Sequence, residues 1–132
     1  MCIRDRGKIR TFGNDDFRFQ LTVGEPGRYS SAGLTPDIVV DPTSGETVVE
    51  ETTAYTLAYK HHWNDTVRST AYYGTAKTET LGRERTHWAV NLLADIRKGL
   101  TVGAELGNFS ITDEGIDDID SNYLQLSVKY SL

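Results

Sequence analysis

The most informative stretch of this chain is its last twelve residues, SNYLQLSVKYSL, in which the character of the side chains alternates strictly. The apolar positions are Leu124, Leu126, Val128, Tyr130 and Leu132. The intervening positions are Tyr123, Gln125, Ser127, Lys129 and Ser131. Because successive side chains of a strand point to opposite sides of a sheet, this pattern predicts a β-strand with one apolar and one wet face.

A strand of this kind fits either a half-buried strand of a soluble sheet or a strand whose apolar face meets lipid. Its position at the end of the chain favours lipid, because outer-membrane barrels commonly finish in an amphipathic strand of about 10 residues at the membrane edge. We therefore expect a strand that spans the bacterial outer membrane.

The first six residues, MCIRDR, resemble the translation of a transposon-based sequencing adaptor. We expect residues 1–6 to be such an artefact and exclude them from the fold prediction. Residues 7–132 are then expected to be the C-terminal part of a single outer-membrane β-barrel domain of a longer protein. The only cysteine, Cys2, lies in the excluded stretch, so cysteine content indicates nothing about metals or disulfides.

Composition narrows the class of protein. The chain is acidic, with a formal net charge of −5, and this gives no support for nucleic-acid binding. Hydrophobic residues make up 38%, and no apolar run approaches the roughly 18 residues of a membrane helix. A membrane role would therefore rest on strands, in which only every second residue needs to be apolar.

Five further segments show the same two-residue period: 16–24, 53–63, 66–78, 85–96 and 100–112. The connections between them are predicted to alternate between short turns of Asn, Asp and Gly at 13–15, 64–65 and 97–99 and longer loops at 25–52, 79–84 and 113–120. Short turns at one end and long loops at the other are typical of outer-membrane barrels. The predicted fold is all-β, an antiparallel up-and-down meander of about six long strands that forms an incomplete part of a transmembrane β-barrel.

Residues 55–132 resemble the C-terminal hairpins of DcaP-like trimeric outer-membrane porins, through YKHHW, VRSTAYY, HWAVNLLADI, LTVGAEL and LQLSVKYSL. The stretch DDFRFQLTVGEPGRY at 15–29 is similar to the strand and loop that precede them. One departure is Leu132, where such barrels usually end in an aromatic residue. The resemblance implies a homotrimeric diffusion channel of a Gram-negative outer membrane, surrounded by lipid and lipopolysaccharide, that passes small hydrophilic solutes, including dicarboxylates.

Charged residues fall on the face assigned to the inside of the barrel. The predicted pore-lining residues are Arg18, Lys60, Arg68, Asp95, Glu105 and Lys129. Four bases against two acids favour anions, because a charged wall raises the local concentration of the opposite charge. The alternative is that these residues pair across the wall and only keep it hydrated.

Catalytic and metal chemistry find little support in the sequence. His61 and His62 are adjacent in a predicted strand and so point to opposite faces, and DEGIDDID lacks the ligand spacing of a calcium loop. No Ser/His/Asp arrangement or phosphate loop is present, so we predict no enzyme activity, no cofactor and no metal site.

Two other classes of protein remain open. A soluble β-barrel or sandwich that binds a small ligand would carry the same pattern with its apolar face turned inward. A barrel for protein folding or adhesion, rather than a pore, has the same strand pattern as a porin.

Overall fold

Long strands dominate the structure, as the two-residue period predicts. A computed structural model describes residues 3–25, 38–113, 115 and 117–131 of the chain. The strands are β1 (Ile3–Arg10), β2 (Asp16–Gly24), β3 (Ile38–Val40), β4 (Thr47–Val49), β5 (Thr52–His62), β6 (Val67–Thr78), β7 (Glu84–Arg97), β8 (Leu100–Thr112) and β9 (Ile119–Tyr130). Within these described ranges, no helix is long and apolar enough to cross a membrane.

Seven of the strands form one antiparallel sheet in the order β1-β2-β5-β6-β7-β8-β9, and β3 and β4 form a separate hairpin. Each strand of the large sheet therefore pairs with the next strand along the chain, apart from the β3–β4 hairpin inserted after β2. The predicted all-β, antiparallel meander is confirmed at this level. In the described part of the chain the two edge strands, β1 and β9, do not pair with each other.

The predicted strand bounds agree closely with those observed. Segments 16–24 and 100–112 match β2 and β8, and the other bounds differ by no more than two residues, with Leu132 outside the described residues. The sheet has seven strands rather than about six, because the prediction excluded residues 1–6 and so missed β1. Residues 3–6 pair with residues 20–23 of β2. This pairing does not test the expected origin of residues 1–6, which stays a prediction.

The connections fall into two groups at opposite ends of the sheet. At one end, here called the turn end, lie the β1–β2, β5–β6 and β7–β8 turns and the end of β9. Gly99 has a φ of 82°, a conformation that glycine adopts without strain. The Asn64 carboxamide accepts the backbone N–H groups of Thr66 and Val67 at 2.9 and 2.8 Å, which closes the β5–β6 turn.

The other end, here called the loop end, differs from the prediction in two respects. The predicted loop at 25–52 contains the β3–β4 hairpin, and its residues 26–37 lie outside the described residues. The connection at 79–83 is no longer than the one at 11–15, so loop length alternates less regularly than expected. Its compactness comes from a backbone hydrogen bond of 2.9 Å between Thr78 N and Arg83 O.

Strand register divides the side chains between two faces. Phe19, Leu57, Tyr73 and Trp88 are direct neighbours in one row across four strands. On this apolar face lie the predicted Leu126 and Val128 and, from the other segments of two-residue period, Leu57, Tyr59, Val90, Leu92 and Val102. On the polar face lie Arg18, Lys60, Arg68, Asp95, Glu105 and Lys129. The predicted division of side chains between faces is confirmed.

The apolar face has no layer of protein over it. Leu124, Leu126 and Val128 are 65%, 76% and 74% exposed. Among the described residues, Val39 and Ala89 are the buried hydrophobic side chains, and Ala89 lies on the polar face. The large sheet therefore leaves its apolar face uncovered, which is unusual for a protein surface in water.

The polar face is the concave one. The hydroxyl oxygens of Tyr72 and Tyr123 lie 3.3 Å apart, although β6 and β9 are separated by two intervening strands. Strands lie about 4.8 Å apart, so on a flat sheet the two residues would start about 14 Å from each other. Two tyrosine side chains that lean towards each other can span this distance. On the central strands, side chains of the polar face such as Ala89, Asn91 and Glu105 are also less exposed than the apolar-face residues Trp88, Val90 and Leu106. This difference is expected of a sheet that curves towards its polar face, where side chains are crowded together. The apolar face is therefore convex.

Candidate functional site

The centre of the polar face holds two tyrosines on either side of two small residues. Tyr72, Ala89, Gly107 and Tyr123 form one row across β6 to β9. A Cβ placed on Gly107 would lie 2.5 Å from the Tyr123 hydroxyl oxygen, so the Tyr123 ring lies directly over this glycine. Ala89 is completely buried. Small residues in this row thus allow the tyrosine rings to lie along the wall.

A hydrogen-bond network holds Tyr123 in place. Its hydroxyl donates to Glu105 Oε1 at 2.8 Å and lies 2.8 Å from His87 Nε2. Because the Tyr123 proton goes to Glu105, the hydroxyl oxygen accepts from His87, and Nε2 of His87 carries a hydrogen. Asn91 Nδ2 donates to Glu105 Oε2 at 3.2 Å. Tyr72, His87, Asn91, Glu105 and Tyr123 are called the tyrosine cluster below.

A second polar group lies nearer the turn end. Arg68 Nη1 is 2.7 Å from Asp95 Oδ2, and the Thr101 hydroxyl donates to Asp95 Oδ1 at 2.6 Å. Both carboxylate oxygens of Asp95 are therefore bound. The pair cancels most of the charge that either residue would present alone.

Bases gather on the polar face of β1, β2 and β5. Lys8 lies directly opposite Arg18, and both contact Asp16, with Lys8 Nζ 3.3 Å from Oδ2 and Arg18 Nε 2.5 Å from Oδ1. A groove of about 530 Å³ is lined by residues of these three strands. Its charged lining residues are Arg6, Lys8 and Arg18. In the described part of the chain, Lys60 makes no ion pair.

Asp15, at the turn end, was not among the residues predicted to have a role. The Asp15 carboxylate accepts the backbone N–H of His62 at 2.7 Å and the Tyr59 hydroxyl at 3.0 Å, and it lies 2.6 Å from His61 Nδ1. These contacts, the His62 N–H first among them, lower the pKa of Asp15 from 3.8 to about 2. Asp15 thereby ties the β1–β2 turn to the end of β5.

Acidic residues of the loops are partly compensated by neighbouring groups. Arg83 Nε lies 3.3 Å from Asp113 Oδ2. Glu50 Oε1 accepts the backbone N–H groups of Thr80 and Leu81 at 3.0 and 3.3 Å, so this acid caps the neighbouring connection. Among the residues that the structure describes, no three or more His, Cys, Asp or Glu side chains are grouped to hold a metal ion.

The six predicted pore-lining residues share one face without forming one site. Arg68 and Asp95 form a pair, and Glu105 belongs to the tyrosine cluster. Arg18 and Lys60 lie on the basic side of the sheet, and Lys129 lies opposite Thr101 on the edge strand. The prediction missed Tyr72, His87 and Tyr123. The two-residue period placed them on the polar face, but nothing local indicated that they meet.

Comparison of the chain with protein-family models, with curated proteins and with solved structures finds no match. The function is therefore proposed from the geometry of the sheet.

Proposed function

We propose that this chain forms part of the wall of a porin in the bacterial outer membrane. Its convex apolar face would contact lipid and lipopolysaccharide, and its concave polar face would line a water-filled path for small hydrophilic solutes. The assembled protein would be a homotrimer, as the resemblance to DcaP-like porins implies. The uncovered apolar face on the convex side of a long-stranded sheet is the observation that carries the proposal.

The extent of the apolar surface fits a membrane. On β7 it runs from Trp88 to Ile96, nine residues that cover about 26 Å along the strand. With a strand tilt of about 40° this gives a height of about 20 Å, near the roughly 25 Å apolar band of outer-membrane barrels. Towards the loop end, the same face becomes polar at Thr75, Thr86 and Ser110.

Aromatic side chains mark both borders of this band. Tyr73 and Trp88 are paired at its loop-end border. Trp63 and Tyr130 lie at the turn end, where Trp63 Nε1 donates to Ser69 Oγ at 3.0 Å. Tyr and Trp are enriched at membrane–water interfaces, because their rings are apolar and their N–H or O–H groups are polar.

The soluble ligand-binding barrel is the main alternative. It would need its apolar side chains on the concave side, where they could enclose a ligand. Here the concave side carries the ion pairs and the hydrogen-bonded tyrosine cluster instead. A membrane barrel of the reverse orientation is also disfavoured, because placing the polar face against lipid would cost about 2 to 4 kcal/mol for each Arg or Lys at the membrane centre.

The charge of the polar face favours anionic solutes. Lys8 and Arg10 of β1 add to the predicted bases, and Asp16 adds one acid. The surplus of bases would raise the concentration of small anions at the wall.

Fluorescence quenching tests which face meets lipid. Both tryptophans of the chain, Trp63 and Trp88, are on the apolar face. We expect brominated phospholipids to quench both in refolded protein, and bromines near the headgroups to quench more than bromines deep in the bilayer. Single-tryptophan variants Trp63→Phe and Trp88→Phe separate the two signals.

The matched control places a tryptophan on the opposite face, by Tyr72→Trp in a chain that lacks Trp63 and Trp88. This tryptophan should resist lipid quenching and remain accessible to a water-soluble quencher. Quenching of Tyr72→Trp by lipid, or protection of the two native tryptophans from it, would exclude the proposed orientation.

A further inference from the structure

We propose that the tyrosine cluster is a binding site for the ring of a neutral saccharide. The inference rests on the proposed function, because it takes the polar face as the wet wall of a pore, and it names a class of solute for that wall. The cluster combines aromatic rings that lie along the wall with carboxylate and amide groups at their edge. A sugar ring has an apolar face of C–H groups and a rim of hydroxyls, so it matches both features.

The first observation is the orientation of the rings. Tyr123 lies over Gly107, and its hydroxyl meets that of Tyr72 at 3.3 Å. To meet across two intervening strands, both side chains must run along the sheet rather than stand upright on it. One face of the Tyr123 ring therefore covers Gly107, and its other face is directed to the concave side. The Tyr72 ring is inclined to that of Tyr123, since the two rings make interplanar angles of 84° and 43° with the ring of His87.

The second observation is the set of polar groups beside the rings. Each carboxylate oxygen of Glu105 accepts one hydrogen bond, from Tyr123 or Asn91, and keeps a further lone pair for an outside donor. Gln125 is the direct neighbour of Glu105 on β9 and is exposed. A hydroxyl of a bound sugar could donate to Glu105 while another accepts from the Gln125 amide.

The charge of the cluster excludes other small solutes. A free anion would be repelled by Glu105, whose carboxylate lies beside the Tyr123 hydroxyl. The two tyrosines meet through their hydroxyl edges, so they do not form the box of ring faces that binds a quaternary ammonium ion. A neutral, hydroxyl-rich ring is the solute class that the cluster fits best.

Saturation-transfer NMR tests the site with maltose as the probe. The protein is refolded in an amine-oxide detergent, because maltoside detergents would compete with the probe. We expect saturation transfer to the ring protons of maltose. Erythritol, which has hydroxyls but no ring, should show much weaker transfer.

Variants separate stacking from hydrogen bonding. Tyr72→Ala and Tyr123→Ala each remove a stacking surface and should weaken maltose binding about ten-fold, the effect of losing one good aromatic contact. Tyr123→Phe keeps the ring and should retain most of the binding, which guards against loss of fold as the explanation. Tyr130→Ala on the apolar face is the matched control and should have no effect.

Equal transfer to maltose and erythritol, binding unaffected by Tyr72→Ala and Tyr123→Ala, or binding of choline in place of maltose would overturn the proposal. Failure of the saccharide proposal is distinguishable from failure of the porin proposal. Lipid quenching of Trp63 and Trp88 would still succeed if only the saccharide site were wrong.

Discussion

Replacing Gly107 by alanine tests the packing of the polar face. The packing predicts that the free energy of unfolding falls, whereas backbone propensity alone predicts that it rises. A Cβ at this position would lie 2.5 Å from the Tyr123 hydroxyl oxygen and 2.6 Å from Cζ of the ring. Atoms do not approach so closely, so the ring must move. Any such movement lengthens the two 2.8 Å contacts of the hydroxyl, with Glu105 and with His87.

The magnitude follows from two opposing terms. Losing two hydrogen bonds, one of them to a carboxylate, costs about 2 to 3 kcal/mol. Alanine in place of a strand glycine contributes about 0.5 to 1 kcal/mol in the other direction, because glycine loses more backbone freedom on folding. We therefore expect Gly107→Ala to lower the free energy of unfolding by about 1 to 2 kcal/mol, whereas backbone propensity alone would raise it.

Urea unfolding of the refolded protein, followed by tryptophan fluorescence, measures this free energy. The control is the same substitution in a Tyr123→Ala background, where no ring stands over residue 107. There Gly107→Ala should be neutral or stabilising, and the difference between backgrounds is the coupling energy of the pair. A stabilising effect in the wild-type background, or a coupling energy near zero, would refute the packing described for Tyr123.

Three further predictions concern charge. If the polar face lines a pore as proposed, Lys60→Ala should shift the reversal potential of the reconstituted protein towards cations, more at 0.1 M than at 1 M salt because the screening length falls from about 10 to 3 Å. The joint change Arg68→Ala with Asp95→Ala should leave that potential near wild type, since it removes a mutually neutralising pair; a shift equal to that of Lys60→Ala would contradict this reading. Asp15 has its pKa lowered from 3.8 to about 2, so its stabilising contribution is complete above 3.8 and is lost as pH falls through about 2. Thermal unfolding should therefore show a steeper loss of stability across this window in wild type than in Asp15→Asn, and equal slopes would count against it.

Strand positions and faces were predictable because the two-residue period is a local property of the chain. One residue of β7 departs from this period, and its position has a packing reason. Leu93 is an apolar residue on the polar face, and its side chain covers Gly103 on the next strand. A Cβ at Gly103 would collide with it, so the leucine and the glycine fit as a pair.

Contacts within the site were not predictable, because they depend on strand order and register. Tyr72 and Tyr123 are 51 residues apart, and Asp15 and His61 are 46 apart. Whether such residues meet depends on the lengths of all the strands and turns between them, and these lengths are known only once the strands are paired. β1 was missed for another reason: half of it lies in residues that were excluded before any pattern was sought.

The sheet order also fixes how its edges can be completed. Strand direction alternates through seven strands, so β1 and β9 run the same way. If these edges met directly, they would form a parallel ladder. A second copy of the chain, inserted between them in the same orientation, would also place strands that run the same way side by side. A cylinder that stays antiparallel all the way round needs an odd number of further strands between β9 and β1, which gives the even total usual in bacterial barrels.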